Sequence, residues 1–379
     1  MKLRSFGLKA WPVVGVALVQ AILLLAHWFI YRTVVVFFAP LSQEVILALR
    51  ISFLVLAFSF IVAALLSFRH SNPLVTLAYR IAAVWLGFLN YFFFAACLSW
   101  LAWIAVLLAF QEKYPHHHRD LVAWVFFIPA FLAGVYGLLN ALWIRTRRVT
   151  IQLPYLPPSW NKRTALLISD LHLGSVNGPR FSRRIVSMAA RLRPDIVFIP
   201  GDFFDGAKTD PDMLAAPFRE LSPPLGTYFV SGNHDEYGNL PLYTEALTRA
   251  GIRVLSNERV TVDGLHIVGV PYGGTSNVAL RNLLESLQLS RAEPCILLSH
   301  VPSRLPVVEQ TGVSLQLSGH THAGQIFPFT WFVRRAFGRF TYGLQRFGSM
   351  QIYTSSGAGT WGPPMRVGTY SEIVLLKFE

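Results

Sequence analysis

Four long apolar stretches dominate the first 145 residues, at about 11–31, 45–68, 81–110 and 121–144. Each reaches the roughly 20 residues that an α-helix needs to cross ~30 Å of hydrocarbon. A helix also satisfies its own backbone there, which an open strand cannot do. Residues 1–150 therefore read as an all-α membrane domain of about four transmembrane helices. The first stretch is too long for a signal h-region and no small-residue cleavage site follows it, so it reads as a retained helix. If residues 73–110 held two short spans, the count would be five and everything after residue 150 would change sides.

Charge sets the orientation. Lys2, Arg4 and Lys9 precede the first stretch, Arg69 and Arg80 flank the second connection, and Arg145, Arg147 and Arg148 follow the fourth. The opposite connections carry only Arg32, Lys113 and Arg119. The positive-inside rule then places both termini, and the domain after residue 150, in the cytoplasm of an integral protein of the bacterial inner membrane. Residues 1–150 hold 12 Lys and Arg against 3 Asp and Glu, so nine of the chain's +13 charges belong to the membrane half. That placement, with no stripe of Lys and Arg marking a nucleic-acid groove, argues against a nucleic-acid partner and for a bilayer. Arg50 and Arg80 suit snorkelling at helix ends, His116, His117 and His118 read as a solvated loop, and Asn90 and Asn140 read as bridges between helices. Cys97 and Cys295 form no disulfide framework.

A proline-rich link, with Pro154, Pro157 and Pro158, marks residues 151–163 as a linker and 164–379 as a second domain. Short apolar runs recur there at 165–169, 195–200, 227–231, 265–270, 295–299, 315–318, 351–355 and 372–378, with the length and branching of buried strands. Helix-period segments at 181–192, 212–221, 241–250 and 277–287 lie between several of them. The pattern predicts layered α and β structure with helices outside.

The ends of these runs carry the chemistry. The first closes on Asp170 and His172, the second on Asp202, the third on Asn233, His234 and Asp235, a later one on His300, and the next on His320 and His322. Strand C-terminal ends line the usual ligand crevice of an α/β fold, so groups spread over 150 residues can converge. Carboxylate, imidazole and amide oxygen together suit borderline divalent metals. Residues two apart in an extended segment share a face, which fits both Asp170-x-His172 and His320-x-His322. Any one of these blocks alone is commonplace, but five in order at strand ends leave little room for coincidence.

The ordered blocks DxH, GD, GNHD, H and GHxH resemble the signature of the calcineurin-like metallophosphoesterase superfamily, over about residues 165–379. The surrounding segments, with Gly324-Gln325 and 356–362, resemble its membrane-associated branch, which includes transmembrane proteins with a metallophosphoesterase domain and UDP-2,3-diacylglucosamine hydrolase-like enzymes. The resemblance implies a four-layered α/β/β/α metallophosphoesterase sandwich. It implies two divalent metal ions (Mn, Fe or Zn), one held by Asp170, His172 and His322, the other by Asn233, His300 and His320, with Asp202 bridging. Hydrolysis would then proceed by attack of a metal-bridging hydroxide. It implies a catalytic role for His234 at the rim, and adjacent Asp235 is expected to orient that ring and hold it cationic. One departure is visible: an Asp often follows the His-x-Pro of this family, and here Ser303 stands in that place.

Substrate is less legible. Residues 327–347 mix aromatics with Arg334, Arg335, Arg339 and Arg346 and contain no acid, a composition suited to a bilayer interface. The expected substrate is therefore a phosphorylated lipid, either a phospholipid or a lipid precursor such as UDP-2,3-diacylglucosamine. Arg180, Arg183 and Arg366 are expected phosphate contacts. The alternatives are a phosphodiesterase of soluble nucleotides and a catalytically silent receptor or scaffold.

Overall fold

The computed structural model describes residues 5–110, 118–273 and 276–379. Lys2, Arg4, Lys113, His116 and His117, which carried topology and loop readings, lie outside them. The chain divides into two compact units, one running up to Gly137 and including Gly362–Pro364, the other comprising Leu138–Trp361 and Met365–Glu379.

The first unit consists of α1 (Ser5–Phe37), α2 (Gln43–Ser67), α3 (Pro73–Phe110) and most of α4 (Arg119–Leu142). All four are long and apolar enough to cross a membrane. The third stretch is one continuous helix of 38 residues, so it does not split into two spans. At 1.5 Å per residue it is about 57 Å long, well beyond the hydrocarbon core. Two indole N–H groups between these helices are paired: Trp85 Nε1 donates to His27 Nε2 at 2.8 Å, and Trp100 Nε1 donates to Thr33 Oγ1 at 3.0 Å. Such pairing is what an apolar surround demands of an indole N–H.

The second unit is built on twelve strands: β1 (Ile144–Ile151), β2 (Thr164–Leu167), β3 (Ile196–Pro200), β4 (Thr227–Val230), β5 (Ile252–Val254), β6 (Glu258–Val262), β7 (Leu265–Val270), β8 (Cys295–Ser299), β9 (Leu315–Ser318), β10 (Gly343–Phe347), β11 (Met350–Thr354) and β12 (Ser371–Phe378). Its helices are α5 (Pro179–Leu192), α6 (Pro211–Ala215), α7 (Asn233–Tyr237), α8 (Leu240–Arg249), α9 (Asn277–Ser286), α10 (Leu305–Gln310) and α11 (Phe329–Phe337). The strands form two six-stranded sheets, ordered β1-β12-β2-β3-β4-β5 and β10-β11-β9-β8-β7-β6.

Alternation along the strands makes the layers. In β3, Ile196 and Phe198 face the second sheet with Leu167, Ile296, Leu298, Leu315 and Leu317, while Val197 and Ile199 face the helix layer with Ile185 and Leu247. In β8, Ile296 and Leu298 point to that same inter-sheet core, and Cys295 and Leu297 point outward to Leu280, Leu284 and Val308 of α9 and α10. A side-chain period of two therefore gives each central strand two buried faces. The result is the expected α/β/β/α sandwich.

The basic run after α4 is not a simple exit from the membrane. It forms β1, which pairs in parallel with β12 from Ile144↔Ser371 to Ile151↔Phe378. The proline run puts the domain boundary near residue 151, whereas the second unit begins at Leu138. Edge position explains why the strand escaped notice: only its end residues, Ile144 and Ile151, are buried, and Arg147 and Arg148 point to solvent.

Candidate metal centre

Parallel β2, β3 and β4 of one sheet and parallel β8 and β9 of the other end at the same place. Just past those ends the backbone of Asp170, His172, Asp202, His320 and His322 turns into the left-handed region, with φ of 52°, 46°, 53°, 69° and 47°. Non-glycine residues occupy this region rarely, Asp and His more readily than most, and at a cost of order 1–3 kcal/mol each. Five such residues in one cluster mark a site whose geometry the surrounding fold enforces. Close approach requires glycine as well. A Cβ on Gly319 would collide with Ser169 Oγ and Asp170 Oδ2, and Gly201, at φ 91°, would drive one into the His300 ring.

The side chains converge in three overlapping groups: Asp170, His172 and His322; His172, Asp202 and His234; and Asp202, His300 and His320. Within each, the ligand atoms lie within 4.8 Å of one another. His172 and Asp202 each belong to two of the groups. Asn233 joins through His320, whose Nδ1 lies 2.9 Å from Asn233 Oδ1. All seven expected ligands are therefore in one cluster.

Neighbouring groups aim the ligands. The N–H of His320 donates to Asp170 Oδ1 and the N–H of His234 to Asp202 Oδ1, each at 2.9 Å. Ser169 Oγ also bonds Asp170 Oδ2. His300 Nδ1 donates to the Pro200 carbonyl at 2.8 Å, which turns Nε2 toward Asp202 Oδ2 at 3.1 Å. Fixing one ring nitrogen this way is how the other becomes a metal ligand.

These residues fit cations. His172 Nε2 and His322 Nε2 face each other at 3.0 Å, His172 Nδ1 is buried without a hydrogen-bond partner among the described residues, and buried His300 Nε2 faces the Asp202 carboxylate. Burial pulls the imidazoles of His172 and His320 down to about 3 and about 4, and His322 well below its ordinary value, so these rings offer lone pairs at neutral pH. Burial alone would lower His300 too, but the Asp202 and Asp170 carboxylates push it up to about 10. Asp202 shows the converse: burial would raise its carboxyl, yet His300, His172 and His234 hold it well below the usual range. Burial, with the Asp202 charge, pushes Asp170 up to about 6. Converging lone pairs and carboxylates in a water-poor pocket are a poor apolar core and a good divalent-cation site.

Several expected roles come out differently. Asp235 does not touch the His234 ring. Its carboxylate accepts the N–H groups of Asp202 and Gly232 at 2.8 Å and Phe204 at 2.9 Å, so it clamps the loop that carries Asp202. His234 instead donates from Nδ1 to the Asp205 carbonyl at 3.2 Å, and burial lowers its pKa, so the ring is not held cationic. Arg366 does not face a phosphate: it is 0% exposed, and Nη2 donates to the carbonyls of Ser356 at 2.6 Å and Gly359 at 2.7 Å. Asn140, read as a bridge between helices, donates from Nδ2 to the carbonyls of Arg366 and Thr369, both at 2.9 Å. Arg180 and Arg183 are exposed on the first turns of α5 and make no hydrogen bond or ion pair with the cluster among the described residues.

Sequence reasoning also missed two acids. Half-buried Asp205 binds the N–H of Ser175 at 2.7 Å and presents its own carbonyl to His234; its only signal was its place three residues after Asp202. Glu372, 1% exposed, accepts from Tyr342 Oη at 2.8 Å and from Ser355 and Ser356, which steadies the turn whose Gly359 N–H bonds the Asp170 carbonyl.

Comparison with known proteins agrees with this geometry. Residues 163–324 match the family described as calcineurin-like phosphoesterase. A "transmembrane protein with metallophosphoesterase domain" from Danio rerio is 35% identical over 272 residues, covering 66% of this chain and 61% of that protein. A metallophosphoesterase of Aquifex aeolicus is 33% identical over 259 residues, 66% of this chain and 97% of the relative. Another, from Campylobacter jejuni, is 28% identical over 327 residues, covering 84% of this chain and 86% of its own. The chain spans only about three fifths of the length of the fish protein. With the ordered ligand blocks in one cluster, and a relative matched over nearly its whole length, the chain belongs to the calcineurin-like metallophosphoesterases.

Proposed function

We propose that this protein is a membrane-anchored, two-metal phosphoesterase that hydrolyses a phosphoester or pyrophosphate bond of a membrane lipid or lipid precursor, with its catalytic unit in the cytoplasm. The observation that carries the reading is the overlap of the three ligand groups, in which Asp202 stands with His300 and His320 on one side and with His172 on the other, and His172 in turn stands with Asp170 and His322. Asp170, His172 and His322 would hold one ion, Asn233, His300 and His320 the second, with Asp202 common to both. Mn, Fe and Zn all suit this donor set. Bound divalent ions supply Lewis acidity, an acidified water and charge neutralisation at phosphoryl oxygens.

The chain's own residues do the rest. His234 has its Nδ1 proton fixed on the Asp205 carbonyl, which leaves Nε2 for a phosphoryl or leaving-group oxygen. An anionic phosphoryl oxygen at Nε2 favours the protonated ring, so His234 takes up its second proton from solvent as substrate binds and passes it to the leaving oxygen. The Asp235 clamp keeps Asp202 in place throughout.

The lipid assignment is supported by α11. Phe327, Phe329, Trp331 and Phe332 are 53–60% exposed, no residue of the helix is buried, and Arg334 and Arg335 lie in its last turn. In water such a face is costly; at a headgroup layer its rings and guanidinium groups are both satisfied. The helix is close to the cluster, with the Phe337 ring 6.2 Å from that of His320.

The test is hydrolysis by detergent-purified full chain, chelated and then supplied with Mn²⁺. Substrates are bis-p-nitrophenyl phosphate and a panel of lipid phosphoesters that includes UDP-2,3-diacylglucosamine. Metal-dependent turnover that prefers lipid and falls on the order of 10³-fold in Asp202→Asn is expected. Turnover without lipid preference would discard the lipid assignment alone, and unchanged metal-dependent turnover by Asp202→Asn would discard the shared-carboxylate mechanism.

A further inference from the structure

A cavity of about 290 Å³ opens beside the metal cluster, with His320 in its wall. Its volume is near the lower end of the range for small-molecule pockets. Leu280, Leu297 and Val308, from α9, β8 and α10, form an apolar floor. Tyr272, Ser303 and Arg304 make the polar lip, and among the described residues no acid lines it.

Arg304 is the group that calls for a ligand. It is half-buried, and its guanidinium makes no hydrogen bond or ion pair with the described residues. Its backbone sits at φ 58°, a region a long side chain seldom adopts. A partly desolvated cation over an apolar floor lacks the partner that such groups ordinarily require. A phosphate supplies that partner, because the guanidinium fork matches phosphate oxygens.

Building on the phosphoesterase reading, we infer that this cavity is a subsite for an organic diphosphate with an apolar substituent. The scissile phosphate occupies the His320 end, Arg304 binds the neighbouring phosphate, and Leu280, Leu297 and Val308 cover the apolar group. In that hydrolysis, water's oxygen bonds to the terminal phosphorus and the anhydride P–O bond breaks. The leaving alkyl phosphate keeps the bridging oxygen, inorganic phosphate is released, and one proton passes to solvent.

The test uses detergent-purified full chain at fixed free Mn²⁺, with three probes: a C5 prenyl diphosphate, inorganic pyrophosphate and bis-p-nitrophenyl phosphate, which lacks a second phosphate. In Arg304→Ala, kcat/KM for the prenyl diphosphate is expected to fall at least tenfold more than for the diester, chiefly through KM, with partial rescue in Arg304→Lys. Leu280→Trp, which fills the floor, is expected to raise KM for the prenyl diphosphate but not for pyrophosphate; it decides the matter if Arg304→Ala does not fold. Equal losses on diester and diphosphate, or a wild-type protein that turns over the diester and ignores the diphosphate, would overturn the subsite. A wild type inactive on all three would instead overturn the phosphoesterase reading.

Discussion

Nη1 of Arg366 donates to the carbonyl of His322 at 3.3 Å while Nη2 lies 3.3 Å from Nδ1 of the same residue, so one buried cation fixes both the backbone and the ring of a candidate ligand. The same guanidinium ties the carbonyls of Ser356, Gly357 and Gly359, and Gly359 in turn donates to the Asp170 carbonyl. Asp170 and His322 belong to one ligand group, and Arg366 is the piece that joins their supports.

Arg366→Ala should therefore act as a stability and metal-loading variant. Several buried carbonyls lose a charge-assisted donor, each worth about 1–3 kcal/mol when left unpaired. A total of about 3 kcal/mol would lower Tm by roughly 6–12 °C for a unit of this size. Differential scanning fluorimetry and metal analysis check this together, and a variant with wild-type Tm and full metal content would contradict it.

His234→Ala and Asp235→Ala should fail in different ways. Loss of His234 removes a proton-transfer group but no ligand, so kcat drops about 10²–10⁴-fold with metal content retained. Loss of Asp235 leaves the N–H groups of Asp202, Phe204 and Gly232 unpaired, so the Asp202 loop loosens and metal is lost. If Asp235 acted through the His234 ring instead, the two variants would share a kinetic defect with metals in place.

Truncation tests the sheet edge. A fragment beginning at Thr164 removes β1 and exposes the full length of β12, an unpaired edge of eight residues. It should aggregate, whereas a fragment beginning at Leu138 should remain soluble in mild detergent. Size-exclusion profiles of the two distinguish the outcomes, and identical profiles would remove β1 from any structural role.

Charge reversal on α11 tests the interface reading. In Arg334→Glu/Arg335→Glu, each lost cation forfeits about 1 kcal/mol of attraction to an anionic surface. The ratio of turnover on lipid in phosphatidylglycerol micelles to turnover on bis-p-nitrophenyl phosphate should fall by roughly 25-fold, and added salt should mimic the effect in the wild type. A ratio that is indifferent to both changes would argue for a soluble substrate.

Much of this was legible because strands announce themselves when both faces are buried. Runs such as 265–270, 295–299 and 315–318 coincide with β7, β8 and β9. The ligands were legible because each follows such a run. β1 was not, since an edge strand has one partner and tolerates Arg145, Arg147 and Arg148 along most of its length. Arg366 was misread for a different reason. A buried arginine is admitted only by carbonyls that the turn at 356–359 brings together, and nothing local in the chain encodes that convergence. Asp235 likewise reads as a partner for its sequence neighbour until the Asp202 loop folds over it.

The left-handed turns at Asp170, His172, Asp202, His320 and His322 also limit how this site can drift. Asp, Asn and His are the side chains that accept such a backbone most readily, and they are also the side chains that donate to divalent cations. Exchange among those three leaves the chain path intact, so its cost falls on coordination and turnover alone. Replacement by Val, Ile or Thr fails twice, once on coordination and once on conformation. Change at these positions is thus confined by conformation to a small alphabet before coordination is even considered.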